Sequence, residues 1–148
     1  MSKRTHKNEV HSQKRTVRLC DSSEDKKPLW VFDRIDRQGE FAFNLSRADF
    51  KHREFLEKLI EYSDMTWSEI RRQTHDDGKS KHHFLQDINA LSKSAQDRVK
   101  TVLTDEDYDR IFSFAFTNKL RVIGLREREF FHVIWYDANH AFYPSKKK

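Results

Sequence analysis

Two stretches of this chain gather side chains that exchange protons and hold negative charge. In the middle, residues 74–83 read THDDGKSKHH and set His75, Lys79, Lys81, His82 and His83 around an isolated Gly78. Toward the end, Arg121, Arg126, His132, Tyr136, Asp137 and His140 fall close together. Imidazole titrates near neutral pH and can act as base or acid, while lysine and arginine stabilise charge that builds on a phosphoryl group. These types suit cleavage of RNA without a metal. A base takes the proton of a ribose 2′-hydroxyl, cations hold the phosphate, and an acid protonates the departing oxygen. In that scheme His132 and His140 are the acid and base and Arg121 and Arg126 contact phosphate. Tyr136 or Asp137 orients a histidine, and His75, Lys79, Lys81, His82 and His83 form a loop that closes on RNA.

The same residues have quieter readings. His132 lies in an apolar run, FFHVIWYD, where a histidine satisfied by hydrogen bonds is commoner than a catalytic one. The arginines also suit strand edges and turns, and Arg128 between two glutamates reads as solvated. His132, Asp137 and His140 have the spacing H-x4-D-x2-H, which a metal-dependent nuclease could use. With no cysteine pair and no H-E-x-x-H helix, the expectation is no dedicated metal site and no cofactor. Gly39, Gly78 and Gly124 are isolated, so no glycine-rich loop cradles a nucleotide phosphate, and no G-x-S-x-G suggests acyl transfer.

Elements must position these groups, and hydrophobic periodicity supplies them. Leu29 to Ile35 and Glu40 to Leu45 are rich in β-formers around Asp36-Arg37-Gln38-Gly39, which reads as a hairpin. Ser46 with Asp49 reads as a capping box before a helix that runs to about Met65, and Thr66 with Glu69 as the box of a short second helix. Ser92 or Ser94 caps a helix through Ala95, Val99 and Val102, and Thr104 with Asp107 marks a further turn. Ile111 to Thr117, Leu120 to Glu127 and Phe130 to Asp137 then form three strands joined by short turns. The expected fold is a single α+β domain. Its antiparallel sheet joins the N-terminal hairpin to the C-terminal three-stranded meander, with helices packed on one face. Alternation along Phe130 to Asp137 puts Phe130, His132, Ile134 and Tyr136 on one face and Phe131, Val133, Trp135 and Asp137 on the other. Both faces are apolar, so a non-enzymatic interaction module that docks a partner on an exposed aromatic face, through Phe131, Val133 and Trp135 or through the opposite face, is the competing reading.

Length and charge bound the rest. With 148 residues, 12 Phe, 3 Trp and 4 Tyr, the chain can bury one core although 36% of it is charged. The net charge is +5, yet residues 1–20 alone hold six Lys or Arg against Glu9, and Lys146 to Lys148 add three more, so the body between is net acidic. Residues 1–28 read as a mobile basic arm, 29–145 as the domain and 146–148 as a basic tail. No apolar run approaches the ~20 residues that span a bilayer, and Met1 to Leu19 lacks the apolar middle of a secretory signal, so a cytoplasmic protein is expected. A lone Cys20 fits a reducing compartment.

The end of the chain carries a resemblance. RVIGLREREFFHVIWYDANHAFYPSKK, from Arg121 to Lys147, is similar to the ending of small bacterial and phage proteins that share a G-x-R…F-H-x-x-W-x-D-x-x-H-x-x-x-P-S pattern and are mostly uncharacterised. More distantly, helices followed by a three-stranded meander resemble the RelE/HigB-like toxins, endoribonucleases that cut messenger RNA and are neutralised by an antitoxin. The resemblance implies RNA as substrate and an antitoxin or other protein as partner, in a toxin-antitoxin type of system.

Overall fold

The computed structural model describes residues 22–144. In chain order the elements are β1 (Leu29–Val31), α1 (His52–Ser63), α2 (Trp67–Arg71), β2 (His83–Phe84), α3 (Lys93–Val102), β3 (Ile111–Ala115), β4 (Arg121–Glu127) and β5 (Phe130–Asp137), with 3-10 turns at Ser22–Asp25, Ile88–Ala90 and Asp105–Arg110. The expected meander of β3, β4 and β5 forms, antiparallel throughout. β2 adds to it beside β3, and β1 adds on the other side, parallel to β5, so the order is β1-β5-β4-β3-β2. The sheet is therefore mixed, and the expected N-terminal hairpin is absent.

A buried carboxylate explains why that hairpin gives way. Asp36 looks like a turn residue, but it is 5% exposed and accepts both Nε and Nη2 of Arg98 at 2.9 Å, Nε1 of Trp135 at 2.8 Å and the Gln38 amide at 3.1 Å. Burial alone raises its pKa; hydrogen bonds from Arg98 and Trp135 bring it below the usual carboxylate range. These contacts hold the segment after β1 as a loop. Phe43 donates to the Asp36 carbonyl at 2.8 Å, while Asp36 donates to Ile134 and Tyr136 to Phe41, each at 3.0 Å, so the loop follows β5 without becoming a strand.

Helices cover both faces of the sheet, where one was expected. On one side, Phe55 and Tyr62 of α1 with Trp67 and Ile70 of α2 pack on Phe112, Phe114, Phe116, Val122, Phe131, Val133 and Tyr136. On the other, Ala95 and Val99 of α3 with Leu85, Leu91 and Phe142 pack on Ile111, Ile123, Leu125, Ile134 and Trp135. Phe131, Val133 and Trp135 are fully buried, as are Ile134 and Tyr136, so among the described residues β5 shows no exposed aromatic face, and Phe130 alone of its aromatic residues is exposed.

Strict alternation along β5 fails at a bulge. Gly124 pairs with Val133 and Ile123 with Trp135, leaving Ile134 as the extra residue. Tyr136 thereby joins the face of Phe131 and Val133. Gly124 permits this: a Cβ there would lie 1.9 Å from the His132 carbonyl oxygen.

Local signals held in part. The Thr66–Glu69 box, the Ser92 cap and the Thr104–Asp107 box are present. The Ser46–Asp49 box is not, because Asp49 takes two 2.8 Å hydrogen bonds from Arg47 and α1 starts at His52 without a side-chain cap. Of the expected mobile arm, residues 22–28 are folded on the domain: Ser23 is buried, Glu24 pairs with Arg126, and Trp67 donates to the Lys26 carbonyl at 2.9 Å. The rest of that arm and the 146–148 tail lie outside the described residues. Among the described residues no helix is long and apolar enough to cross a membrane.

Gly124→Ala is expected to cost about 3 kcal/mol or more, since backbone must move to admit the methyl. Gly78→Ala, with φ +86° and open space around it, should cost only about 1–2 kcal/mol. Urea unfolding followed by circular dichroism checks the contrast.

Candidate functional site

The histidine-bearing segment is a tight hairpin. Thr74 bridges Ser80, His75 donates to Lys79 at 2.8 Å, Gly78 to His75 at 2.9 Å, and Lys81 to Gln73 at 3.1 Å. Gly78 supplies the left-handed residue this turn needs. His82 then anchors the hairpin to the sheet. Its Nδ1 accepts the Ala115 amide at 3.0 Å, so Nε2 carries the proton and donates to Gln73 Oε1 at 2.8 Å. The ring is 1% exposed and packs against Tyr62 and Phe114. Burial, with the charges of Lys81 and Arg121, pushes its pKa down to about 3. His82 is thus a neutral anchor, and the expectation that it touches RNA is corrected.

This anchor decides where its neighbours lie. Ala115 pairs with Arg121 and Arg121 with Asp137, so the end of β3, the start of β4 and the end of β5 meet at one end of the sheet. The hairpin is bound to that end. The chain after β5 turns there too, because Asp137, 1% exposed, accepts the Ala141 amide at 2.9 Å and the Phe142 amide at 2.8 Å. His140 rides on this turn with φ +57°. Its pKa is lowered by burial first and then by the charges of Arg121, His75 and His83, which places all three within electrostatic reach. His83 is lowered in the same way, by burial and then by Arg121 and His75, and its ring meets Tyr143 at 5.9 Å. A groove of about 270 Å³ opens beside them, lined by Lys58, Tyr62, His75, Lys81, Ala115, Phe116, Thr117 and Asn118. Lys58 lies over the Tyr62 ring at 5.6 Å, and the Tyr62 hydroxyl donates to the Ala115 carbonyl at 2.7 Å.

Other expected site residues serve the fold. His132 is five residues before Asp137 on β5, about 16 Å away at roughly 3.3 Å per residue, and its Nδ1 meets Asp33 Oδ1 at 3.0 Å. His132 and His140 therefore cannot form an acid–base pair. The hydrogen bond from His132 holds the Asp33 carboxyl below its usual range. Arg126 is 6% exposed and lies over Trp67 at 4.1 Å, donates to the Arg128 carbonyl and pairs with Glu24; it ties down the first turn at the opposite end of the sheet. The Arg121 guanidinium donates to the carbonyls of Thr117, Asn118 and Leu120, so it offers the cluster its field more than a phosphate contact. Tyr136 is buried against Phe50, its hydroxyl accepting the Lys51 amide at 2.9 Å and donating to the Asp49 carbonyl at 3.3 Å. Asp137 orients a turn and no histidine, and burial raises its pKa. Lys79 sits exposed in the hairpin turn. Lys58, Tyr62 and Tyr143 join the site without having been expected. Only the i, i+4 spacing of Lys58 and Tyr62 on α1 hinted that they share a face.

Among the described residues, no three of His, Cys, Asp or Glu converge as metal ligands. The H-x4-D-x2-H spacing spreads along β5, with both Asp137 oxygens taken by amides. The chain matches no protein-family model, no curated protein and no solved structure.

Because His82 binds its proton only near pH 3 in the fold but near 6.5 when unfolded, the unfolded chain holds more protons in between. Stability from this residue is complete above about pH 6.5 and declines as pH falls toward 3, by up to about 1.4 kcal/mol per unit. Urea unfolding at pH 7, 5.5 and 4.5 should show a gap between wild type and His82→Gln that narrows with acid.

Proposed function

We propose that the sheet end carrying His75, Lys81, His83 and His140 binds the phosphodiester chain of single-stranded RNA and cuts it without a metal, as a toxin-like endoribonuclease. The observation that carries this reading is that the hairpin and the turn after β5 bring three imidazoles within electrostatic reach of buried Arg121, beside a groove with Lys58 and Lys81 on its wall. Lowered pKa values keep His83 and His140 neutral at pH 7, the form a base requires. In the proposed reaction His140 takes the 2′-hydroxyl proton as that oxygen bonds to phosphorus. The bond from phosphorus to the 5′-oxygen breaks, and His75 supplies the proton to the departing oxygen. A 2′,3′-cyclic phosphate and a 5′-hydroxyl end result. Lys58 and Lys81 hold the non-bridging oxygens.

The order of elements supports the toxin comparison. Three helices, with β2 between the second and third, precede a three-stranded meander, and helices followed by such a meander are the arrangement on which the RelE/HigB resemblance rests. In the G-x-R…F-H-x-x-W-x-D-x-x-H pattern shared with small bacterial and phage proteins, Gly124, Arg126, Phe131, His132, Trp135 and Asp137 all have partners in the fold, and His140 is left within electrostatic reach of the cluster.

A protein partner, such as an antitoxin, is the second reading. Leu56 and Ile60, 54% and 61% exposed and four apart on α1, are the apolar surface it would cover.

His140→Ala should slow RNA cleavage at least about 100-fold and leave affinity within about twofold. Lys81→Ala should weaken binding and flatten the salt slope by roughly 0.7, one phosphate contact on a single strand. Wild-type cleavage should fall on the acid side as His140 gains its proton, at a pH below that of an ordinary imidazole. Gel assays and fluorescence anisotropy read these outcomes; RNA left whole across the pH range removes the catalytic reading, and Ile60→Asp weakening RNA binding as much as Lys81→Ala would count against the groove.

A further inference from the structure

We infer that the hollow beside β2 is a nucleobase subsite, which receives an unpaired base next to the phosphate held at the sheet end; this rests on the RNA reading of that end. The hollow measures about 450 Å³ and is lined by Arg71, Phe84, Gln86, Tyr108 and Asp109. Its position follows from the chain: Phe84 directly succeeds His83, and Lys81 is three residues back, about 10 Å along an extended backbone. β2 is the last strand of the sheet, so among the described residues no strand pairs with its outer edge.

The lining suits a flat heterocycle. Phe84 is partly exposed and is held edge-on by Phe112 at 5.0 Å, while the Arg71 guanidinium lies 5.6 Å from its ring centre. Ring and guanidinium planes are the surfaces on which splayed bases stack. Tyr108 adds a second ring. Exposed Gln86 brings one acceptor and two donors, the complement of a base edge. Charge separates this hollow from the phosphate groove. Arg71 is offset by Asp109 and is already engaged by Glu24 at 3.5 Å, so the lining has no net attraction for a phosphate. A neutral base with donors and acceptors fits it better.

The test uses full-length protein and short RNAs that carry 2-aminopurine or an abasic residue at each position in turn. One position should show fluorescence quenching on binding, and removing that base should weaken binding about 5–100-fold, the range for loss of one stacked base. Tyr108→Ala and Phe84→Leu should abolish the quenching, and the abasic change should then cost nothing further. Gln86→Ala, at an exposed position, and Tyr108→Phe, which keeps the half-buried ring, carry the test if Phe84→Leu or Tyr108→Ala unfolds: Gln86→Ala should weaken binding of the intact RNA and not of the abasic one, and Tyr108→Phe should keep the quenching. RNA that binds and is cut, with no quenched position and no abasic penalty, overturns the subsite and leaves the RNA reading standing. If RNA does not bind at all, adenosine and uridine titrated by NMR decide: shifts at Phe84 and Tyr108 keep the base site, and no shift removes it.

Discussion

One neutral imidazole holds the site together. His82 sits in hydrocarbon with both ring nitrogens used, one by an amide of β3 and one by the side chain that precedes the hairpin. A protonated ring could not accept the Ala115 amide, and burial makes protonation costly, so the anchor is intact at neutral pH. Everything between Gln73 and Phe84 is thereby fixed to the end of the sheet, and a flexible-looking polar stretch becomes one wall of a groove.

The same rule recurs through the fold. Buried polar groups are tolerated where their bonds are satisfied, and this chain uses them as joints. Asp36 joins the loop after β1 to α3 and to Trp135; Arg126 joins the first turn to α2; Arg121 closes the β3–β4 connection; Asp137 closes the turn that presents His140. Three of them, Arg121, Arg126 and Asp137, fall in the C-terminal stretch where chemistry was expected. Their partners show that burial, and not reaction, accounts for most of them. His140, His83 and His75 differ in lying within electrostatic reach of one another at the end of the sheet.

The meander, the boxes at Thr66 and Thr104 and the cap at Ser92 were legible because they are local, set by period and by residues three apart. The parallel pairing of β1 with β5 was not, since no local signal marks a contact between Trp30 and Phe131. The Asp36 loop passed for a hairpin because a buried carboxylate and a turn carboxylate look alike in sequence. The bulge at Ile134 was hidden because an apolar run has no polar residue to betray a slip in alternation, although Gly124 was its trace. At the site, the meeting of hairpin and strand end was expected in outline. The pairing of His132 with His140 failed because His132 lies near the start of β5 and His140 on the turn beyond its end.

Whether His75, His83 and His140 form one electrostatic cluster is measured most directly by NMR titration of the His140 ring. Its midpoint should lie below the ordinary 6.5 and rise when His83 or His75 is replaced by glutamine, because a neighbouring positive charge is removed. A midpoint near 6.5 that is unmoved in both variants contradicts the shared site.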